Sequence, residues 1–235
     1  MNRMTDTDDD VLLRARNLSL SFGGVLAVND VSFDVRRGEI FTLIGPNGAG
    51  KTTVFNIISG IYPPSKGSLH YYGTGTEIAL TRLAPHDIAA TGIARTFQNI
   101  ELFEHASVLQ NLLIGRHRHQ KSGFWQQVFF TKTVRDAEIT ARRHVETVIE
   151  LLDLQHYRDT MVAGLPYGIR KVVELARALC AEPSLLLLDE PSSGLNVEET
   201  EDMAFWITDI KEELGVTVLM VEHDMSLVSR VSDRV

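Results

Sequence analysis

The chain has 235 residues, enough for one large domain or a core with a subdomain, and its 44% hydrophobic content supplies a packed interior. A net charge of −8, with no long Lys/Arg stripe to offset it, argues against gripping nucleic acid by phosphate neutralisation, so no nucleic-acid partner is expected. No stretch has the uninterrupted apolar length that crosses a bilayer, so a membrane connection has to run through a partner, and the single cysteine, Cys180, excludes an internal disulfide.

The first ten residues, MNRMTDTDDD, are polar and acidic, without the basic and apolar regions of a signal peptide, and read as a disordered tail. From Val11 to Asp34, apolar and polar residues alternate in LLRARNLSLSF and VSFDV, the pattern of half-buried antiparallel strands, with Gly23 and Gly24 at the turn. The run EIFTLI predicts a short apolar strand and TVFNIIS a buried helix. Another strand is predicted from Gly67 to Tyr72, followed by a turn between Gly73 and Gly75. RHRHQK, beginning at Arg116, reads as a solvated helix end or loop. The aromatic segment SGFWQQVFF, with Trp125 and Phe129, reads as packed on a helical insert, with contact to a membrane partner or lipid as the alternative.

Further on, Val134, Ala137, Ala141, Val145, Val148 and Leu152 recur at spacings of three and four, which predicts a helix with one buried face. Cys180, in the apolar run LARALC, reads as a packed thiol. LLLLD, ending at Asp189, predicts a strand apolar on both faces, as at the centre of a parallel sheet covered by helices. Thr200, Met203, Ile207, Ile210 and Leu214 mark one face of a further helix, with Gly215 as its C-cap, and Thr217 to Val221 predicts a second buried strand.

The chemistry concentrates in a few segments. GPNGAGKTT, residues 45–53, fits the P-loop pattern without departure, between the predicted strand and helix. Gly45, Gly48 and Gly50 let the backbone turn tightly and, with Asn47 and Ala49, aim N–H groups at phosphate oxygens at a helix N-terminus, with Pro46 in the same cofactor-binding loop. Lys51 would reach the β- and γ-phosphates, Thr52 offers a hydroxyl to Mg²⁺, and Thr53 completes the pattern. Asp189 and Glu190 end an apolar strand, where a nucleotide hydrolase needs one carboxylate for the Mg²⁺ shell and one to polarise the attacking water.

His223 follows the second buried strand, so parallel strand ends would bring it to the same edge as Glu190, where it would sense the γ-phosphate. A lone histidine is more often structural, and the other motifs carry this assignment. Gln98, in RTFQN, has an amide suited to both Mg²⁺ and water. Phe22 either stacks on adenine or is a core phenylalanine; the sequence leaves both readings open.

Taken in order, Phe22, the P-loop, Gln98, LPYGIRK from Leu165 to Lys171, Asp189-Glu190, SSGLN from Ser192 to Asn196, and His223 resemble the nucleotide-binding subunit of an ABC transporter over all residues after the tail. The resemblance implies a RecA-like P-loop α/β core, an antiparallel β subdomain and a helical subdomain at about residues 99–170, within an ATPase domain spanning residues 11–235. It further implies a head-to-tail pair of ATPase subunits, identical or different, that sandwiches two ATP molecules, with the signature segment of one completing the site of the other.

That segment departs from the usual Leu-Ser-Gly-Gly-Gln: Pro166 removes a hydroxyl and an N–H, which leaves Tyr167, Gly168 and the helix N-terminus as donors. Proline suits a first helical turn, and Val172, Leu175, Ala176 and Leu179 give that helix a buried face. The Leu-Pro-Tyr-Gly signature with Arg95-Thr96-Phe97-Gln98 looks like the first of two ATPase subunits of branched-chain amino-acid importers, and relatives that move urea, amides or lipopolysaccharide share much of the pattern. Such a subunit sits on the cytoplasmic face of the membrane, bound to permease subunits and served indirectly by a solute-binding protein. Family members usually continue beyond the His-containing strand, so a chain ending at Asp233-Arg234-Val235 is expected to lack the usual end and to leave a sheet edge unpaired.

Overall fold

The computed structural model describes residues 10–73, 75–96, 100–116 and 132–235. The acidic tail before Asp10, Gln98, the RHRHQK residues after Arg116, the segment containing Trp125 and Phe129, and the side chains of Val134 and Ala137 lie outside the described residues. In chain order the strands are β1 (Val11–Phe22), β2 (Val25–Arg36), β3 (Ile40–Leu43), β4 (Lys66–Tyr71), β5 (Ile78–Ala79), β6 (Ile93–Arg95), β7 (Leu185–Asp189) and β8 (Thr217–Val221). The α-helices are α1 (Lys51–Ile58), α2 (Pro85–Ala90), α3 (Val108–Arg116), α4 (Lys132–Leu151), α5 (Tyr167–Leu179), α6 (Val197–Leu214) and α7 (Met225–Val231).

Among the described residues, two four-stranded sheets result. One is antiparallel, in the order β2-β1-β4-β5, and the other is parallel, in the order β3-β8-β7-β6. Every residue of β7 and β8 is buried, because the period-two alternation of a strand feeds two different cores. Leu185, Leu187, Leu219 and Val221 face a core shared with Phe55 and Ile58 of α1 and with Leu13 and Leu69 of the antiparallel sheet. Leu186, Leu188, Val218 and Met220 face a second core with Val172 and Leu175 of α5, Ile207 of α6 and Val145 and Val148 of α4. Replacing Leu187 by Ala would therefore cost about 2–5 kcal/mol, the range for a truncated core leucine.

The helical face predicted from Ala141 onward is the buried face of α4: Ala141, Val145, Val148 and Leu152 are all buried. α6 begins with a capping box, in which the Asn196 side chain accepts from Glu199 N–H and the Glu199 side chain accepts from Asn196 N–H, and it ends at Gly215 in the left-handed region. Leu214 at its last turn is exposed rather than part of the buried face. Pro166 stands at the N-cap of α5 and not in its first turn, since Tyr167 is the first helical residue. Arg116 is also not a solvated helix end: it is buried and pairs with Glu182 at 2.7 Å, tying α3 to the turn after α5. Cys180 is buried, and burial pushes its thiol up to about 12, which fits a packing role.

The outer edge of β3 is partly covered, contrary to the expectation of an unpaired edge. Arg234 forms a parallel bridge with Phe41, and Thr42 N–H donates to Arg234 O at 2.9 Å. Asp233 accepts from Ile40 N–H at 2.7 Å and from Lys211 Nζ at 2.7 Å, while Arg234 pairs with Glu39 at 2.6 Å and lies 4.4 Å from the Phe41 ring centroid. Side chains thus anchor this segment to strand β3 and helix α6.

Candidate functional site

The parallel register sets the site. Leu43 on β3 and Asp189 on β7 both pair with Val221 on β8, so the chain leaves all three strands at one edge of the sheet. The carboxyl ends of parallel strands are where open α/β sheets take ligands. Here they present the loop before α1, then Glu190, then Glu222 and His223.

The loop is shaped by its glycines. Gly50 has φ 86, and a Cβ there would lie 2.2 Å from the Ala27 carbonyl oxygen, so the close approach of β2 requires glycine. α1 then begins without a side-chain cap and without an acidic residue in its first turn. Its first N–H groups and the positive end of its dipole therefore remain available at the loop. Lys51 Nζ donates to Gly45 O at 2.7 Å and Pro46 O at 3.0 Å, which holds the ammonium over the loop. Pro46, Asn47, Gly48, Ala49 and Thr52 are exposed, and Gly45 and Thr53 are partly so. This combination of N–H donors, an ammonium and an exposed hydroxyl is chemically suited to a polyphosphate.

Behind the loop lies Asp189, buried at the end of β7. Its Oδ2 accepts from Arg95 Nη2 at 2.7 Å, and Arg95 Nη1 donates to Asn56 Oδ1 at 2.8 Å on the loop helix. Asp189 Oδ1 is buried and takes no hydrogen bond, so this carboxylate has acceptor capacity left over. An unfilled carboxylate oxygen is the ligand type a hard divalent cation such as Mg²⁺ prefers.

Glu190 follows on left-handed backbone, φ 51, while its N–H still donates to Val221 O at 2.9 Å. His223 Nδ1 is 3.9 Å from Glu190 Oε1 and 3.8 Å from Glu222 Oε2, so the structure brings the predicted acid and histidine together. His223 is two residues past the end of β8 and largely exposed. Phe22 is 44% exposed, and Tyr62 meets it edge-on with ring centroids 5.1 Å apart. Of the two readings of Phe22, this exposure favours a surface platform over a core residue.

Tyr167 and Gly168 lie against residues 194–199, and the Tyr167 ring centroid is also 5.8 Å from Lys171 Nζ. A Cβ at Gly168 would lie 2.3 Å from Glu199 Oε1, and one at Gly194 would lie 2.9 Å from the Tyr167 ring.

Three residues at this edge escaped sequence reasoning in any functional sense. Arg95 is separated from its partner Asp189 by 94 positions, which no spacing rule reports. Lys171 is buried on α5 and donates to the carbonyl oxygens of Glu190 and Pro191. Burial pushes its ammonium below the ordinary lysine range, with the charges of Glu222, Glu174 and Glu190 opposing that shift. Glu222 is buried beside His223, and its only sequence signal was an acid next to a strand-end histidine.

A parallel sheet whose strand ends converge in this way, joined to an antiparallel sheet and a helical layer, is the fold of an ATP-binding cassette. The chain belongs to the ABC transporter family, whose model matches residues 28–193, and it is an ATPase of that class. It is 40% identical over 224 residues to the high-affinity branched-chain amino acid transport ATP-binding protein LivG of Salmonella typhimurium, covering 95% of this chain and 86% of that protein. The same identity and coverage hold for the transport ATP-binding protein BraF of Pseudomonas aeruginosa. Among solved structures, it is similar to a nucleotide-free ATP-binding cassette from an ABC transporter, with a TM-score of 0.79, 30% identity and coverage of 95% and 85% of the two chains. A cassette in its ADP conformation gives a TM-score of 0.79 at 29% identity, with the same coverage. Among the described residues, no helix is long and apolar enough to cross a membrane.

Proposed function

We propose that this chain energises a membrane importer for branched-chain amino acids, acting from the cytoplasmic face through permease subunits and together with a second ATPase subunit. The observation that carries the chemical part is the shared register of Leu43, Val221 and Asp189, which gathers the P-loop, Glu190 and His223 at one edge. The solute class rests on the resemblance to LivG and BraF, since an ATPase subunit does not itself contact the solute.

In this reading Gly45, Pro46, Asn47, Gly48, Ala49, Gly50, Lys51 and Thr53 cradle the phosphates and Phe22 takes the adenine ring. Thr52, Asp189 and Gln98 would hold Mg²⁺, which, when bound, neutralises charge on the β- and γ-phosphates. The unfilled Oδ1 of Asp189 and the exposed Thr52 hydroxyl support that assignment. Glu190 orients the attacking water and accepts its proton, and His223 holds the γ-phosphate side of the site. Tyr167 and Gly168, at the start of α5, serve the nucleotide of the partner subunit.

The test is ATP hydrolysis by purified protein with Mg²⁺, alone and reconstituted in lipid with its permease and companion ATPase subunit, alongside uptake of radiolabelled leucine. Activity that rises with the partners and drives leucine uptake is expected. Hydrolysis indifferent to partners would remove the transport reading, and partner-dependent hydrolysis without leucine uptake would remove only the solute.

A further inference from the structure

Glu190 adopts φ 51, a left-handed conformation that strains a non-glycine residue and persists where its surroundings hold it. Ser193 N–H donates to Glu190 O at 3.1 Å, and two buried charged side chains add to that hold. From α5, Lys171 Nζ donates to Glu190 O at 3.0 Å and to Pro191 O at 3.2 Å. From the end of β8, Glu222 accepts through Oε1 from the N–H and hydroxyl of Ser192, at 2.9 and 2.6 Å. Its Oε2 accepts from the N–H groups of His223 and Asp224, at 2.7 and 3.0 Å. The Lys171 ammonium also lies 5.8 Å from the ring centroid of Tyr167, one turn earlier on α5.

We infer that Lys171 is a positioning residue for hydrolysis: its buried ammonium fixes the Glu190 carbonyl, and so the direction of the Glu190 carboxylate, and links that carboxylate to Tyr167 and the start of α5. Glu222 completes the hold by fixing Ser192 and the backbone of His223. Because the ammonium contacts main-chain oxygens, a shift of α5 re-aims Glu190 without touching the P-loop. A movement of the signature segment within one subunit therefore reaches that subunit's own catalytic carboxylate. The inference rests on the proposed role of Glu190, and its test keeps the two apart.

The full-length protein is assayed for ATP affinity by equilibrium binding and for MgATP hydrolysis, as the native form and as Lys171→Met, Lys171→Gln, Lys171→Arg and Glu190→Gln. Lys171→Met is expected to bind ATP within about twofold of the native protein while kcat falls on the order of tenfold to a hundredfold, the scale of a displaced catalytic group. KM should change little, and Lys171→Arg should recover most of kcat because a guanidinium can still donate to both carbonyls. Should Lys171→Met fail to fold, Lys171→Gln serves in its place, with a smaller kcat loss. Unchanged kcat in either variant, or a loss matched by lost ATP binding, overturns the positioning role. Glu190→Gln turning over at the native rate would overturn the assignment of Glu190 and the inference with it. An inactive Glu190→Gln beside a fully active Lys171 variant overturns the inference alone.

Discussion

Arg95 and Asp189 meet as an ion pair at 2.7 Å between side chains that are 9% and 1% exposed. The same guanidinium reaches Asn56 on α1, so one cation joins the end of β7 to the helix that follows the phosphate loop. Breaking a buried pair from one side leaves an uncompensated charge, which costs roughly 3–5 kcal/mol. Arg95→Met should therefore lower unfolding stability by about that amount in urea denaturation, and adding Asp189→Asn should recover part of the loss. A cost below about 1 kcal/mol would class the pair with solvent-screened surface bridges.

Gly48 and Gly50 separate two effects within one loop. Both have positive φ, 83 and 86, but a Cβ at Gly48 meets nothing within 4 Å, whereas one at Gly50 would strike the Ala27 carbonyl oxygen. Gly48→Ala should cost about 1–2 kcal/mol from backbone strain alone. Gly50→Ala should cost more, and by separating β2 from the loop it should weaken ATP binding at least about tenfold, the scale of losing about 1.4 kcal/mol of binding energy. Equal costs in thermal unfolding and nucleotide titration would show that β2 yields to the added methyl.

Pro166 occupies the N-cap of α5 at φ −54 and ψ 154 with no side-chain cap. Serine tolerates that backbone and would supply the missing hydrogen bond to the first turn, worth about 1 kcal/mol. As this segment is proposed to close on the nucleotide of a partner subunit, Pro166→Ser should raise ATP-dependent dimerisation. Light scattering with ATP measures it; equal or weaker dimerisation would count against a cap-limited interface.

Acid stability has an identifiable source at the carboxyl end. Burial raises the pKa of Asp233, but the Ile40 N–H and the Lys211 ammonium outweigh it and hold the carboxyl below the ordinary aspartate value. Such a group contributes stability that is complete above the unfolded-state pKa and is lost as pH falls through the lowered folded-state pKa. Asp34 behaves likewise: burial is its largest influence, yet Arg16 and Arg14 carry it the other way. Asp233→Asn should flatten the acid limb of a melting temperature against pH curve below the ordinary aspartate range. An unaltered limb would remove Asp233 from acid unfolding.

Most of the site was legible in the sequence because its parts are local. A P-loop needs closely spaced glycines, a lysine and a hydroxyl. A doubly covered strand needs a continuous apolar run, and LLLLD and TVLMV delivered both central strands with their observed bounds. The placement of Glu190 near His223 also followed from parallel strand ends, at a measured 3.9 Å. Helix α6 declared its end through Gly215, while its capping box of Asn196 and Glu199 emerged only in the structure.

The sequence by itself determined the strongly patterned strands and helices, among them β7, β8, α4 and α6, and which side chains bring phosphate chemistry, because both depend on residues within a few positions of one another. Tertiary structure alone decided what holds those side chains in place. The Arg95 pairing with Asp189, the Lys171 bond to the Glu190 carbonyl and the Glu222 bonds to Ser192 join positions 94, 19 and 30 apart. Each joins segments that only folding brings together, and two of the three use main-chain groups, the Glu190 carbonyl and the Ser192 N–H, which every such residue possesses and no residue type announces. A lysine that is solvated on most helices becomes a structural donor here because α5 packs its flank against the turn after β7, whose Glu190 and Pro191 carbonyls accept its hydrogen bonds.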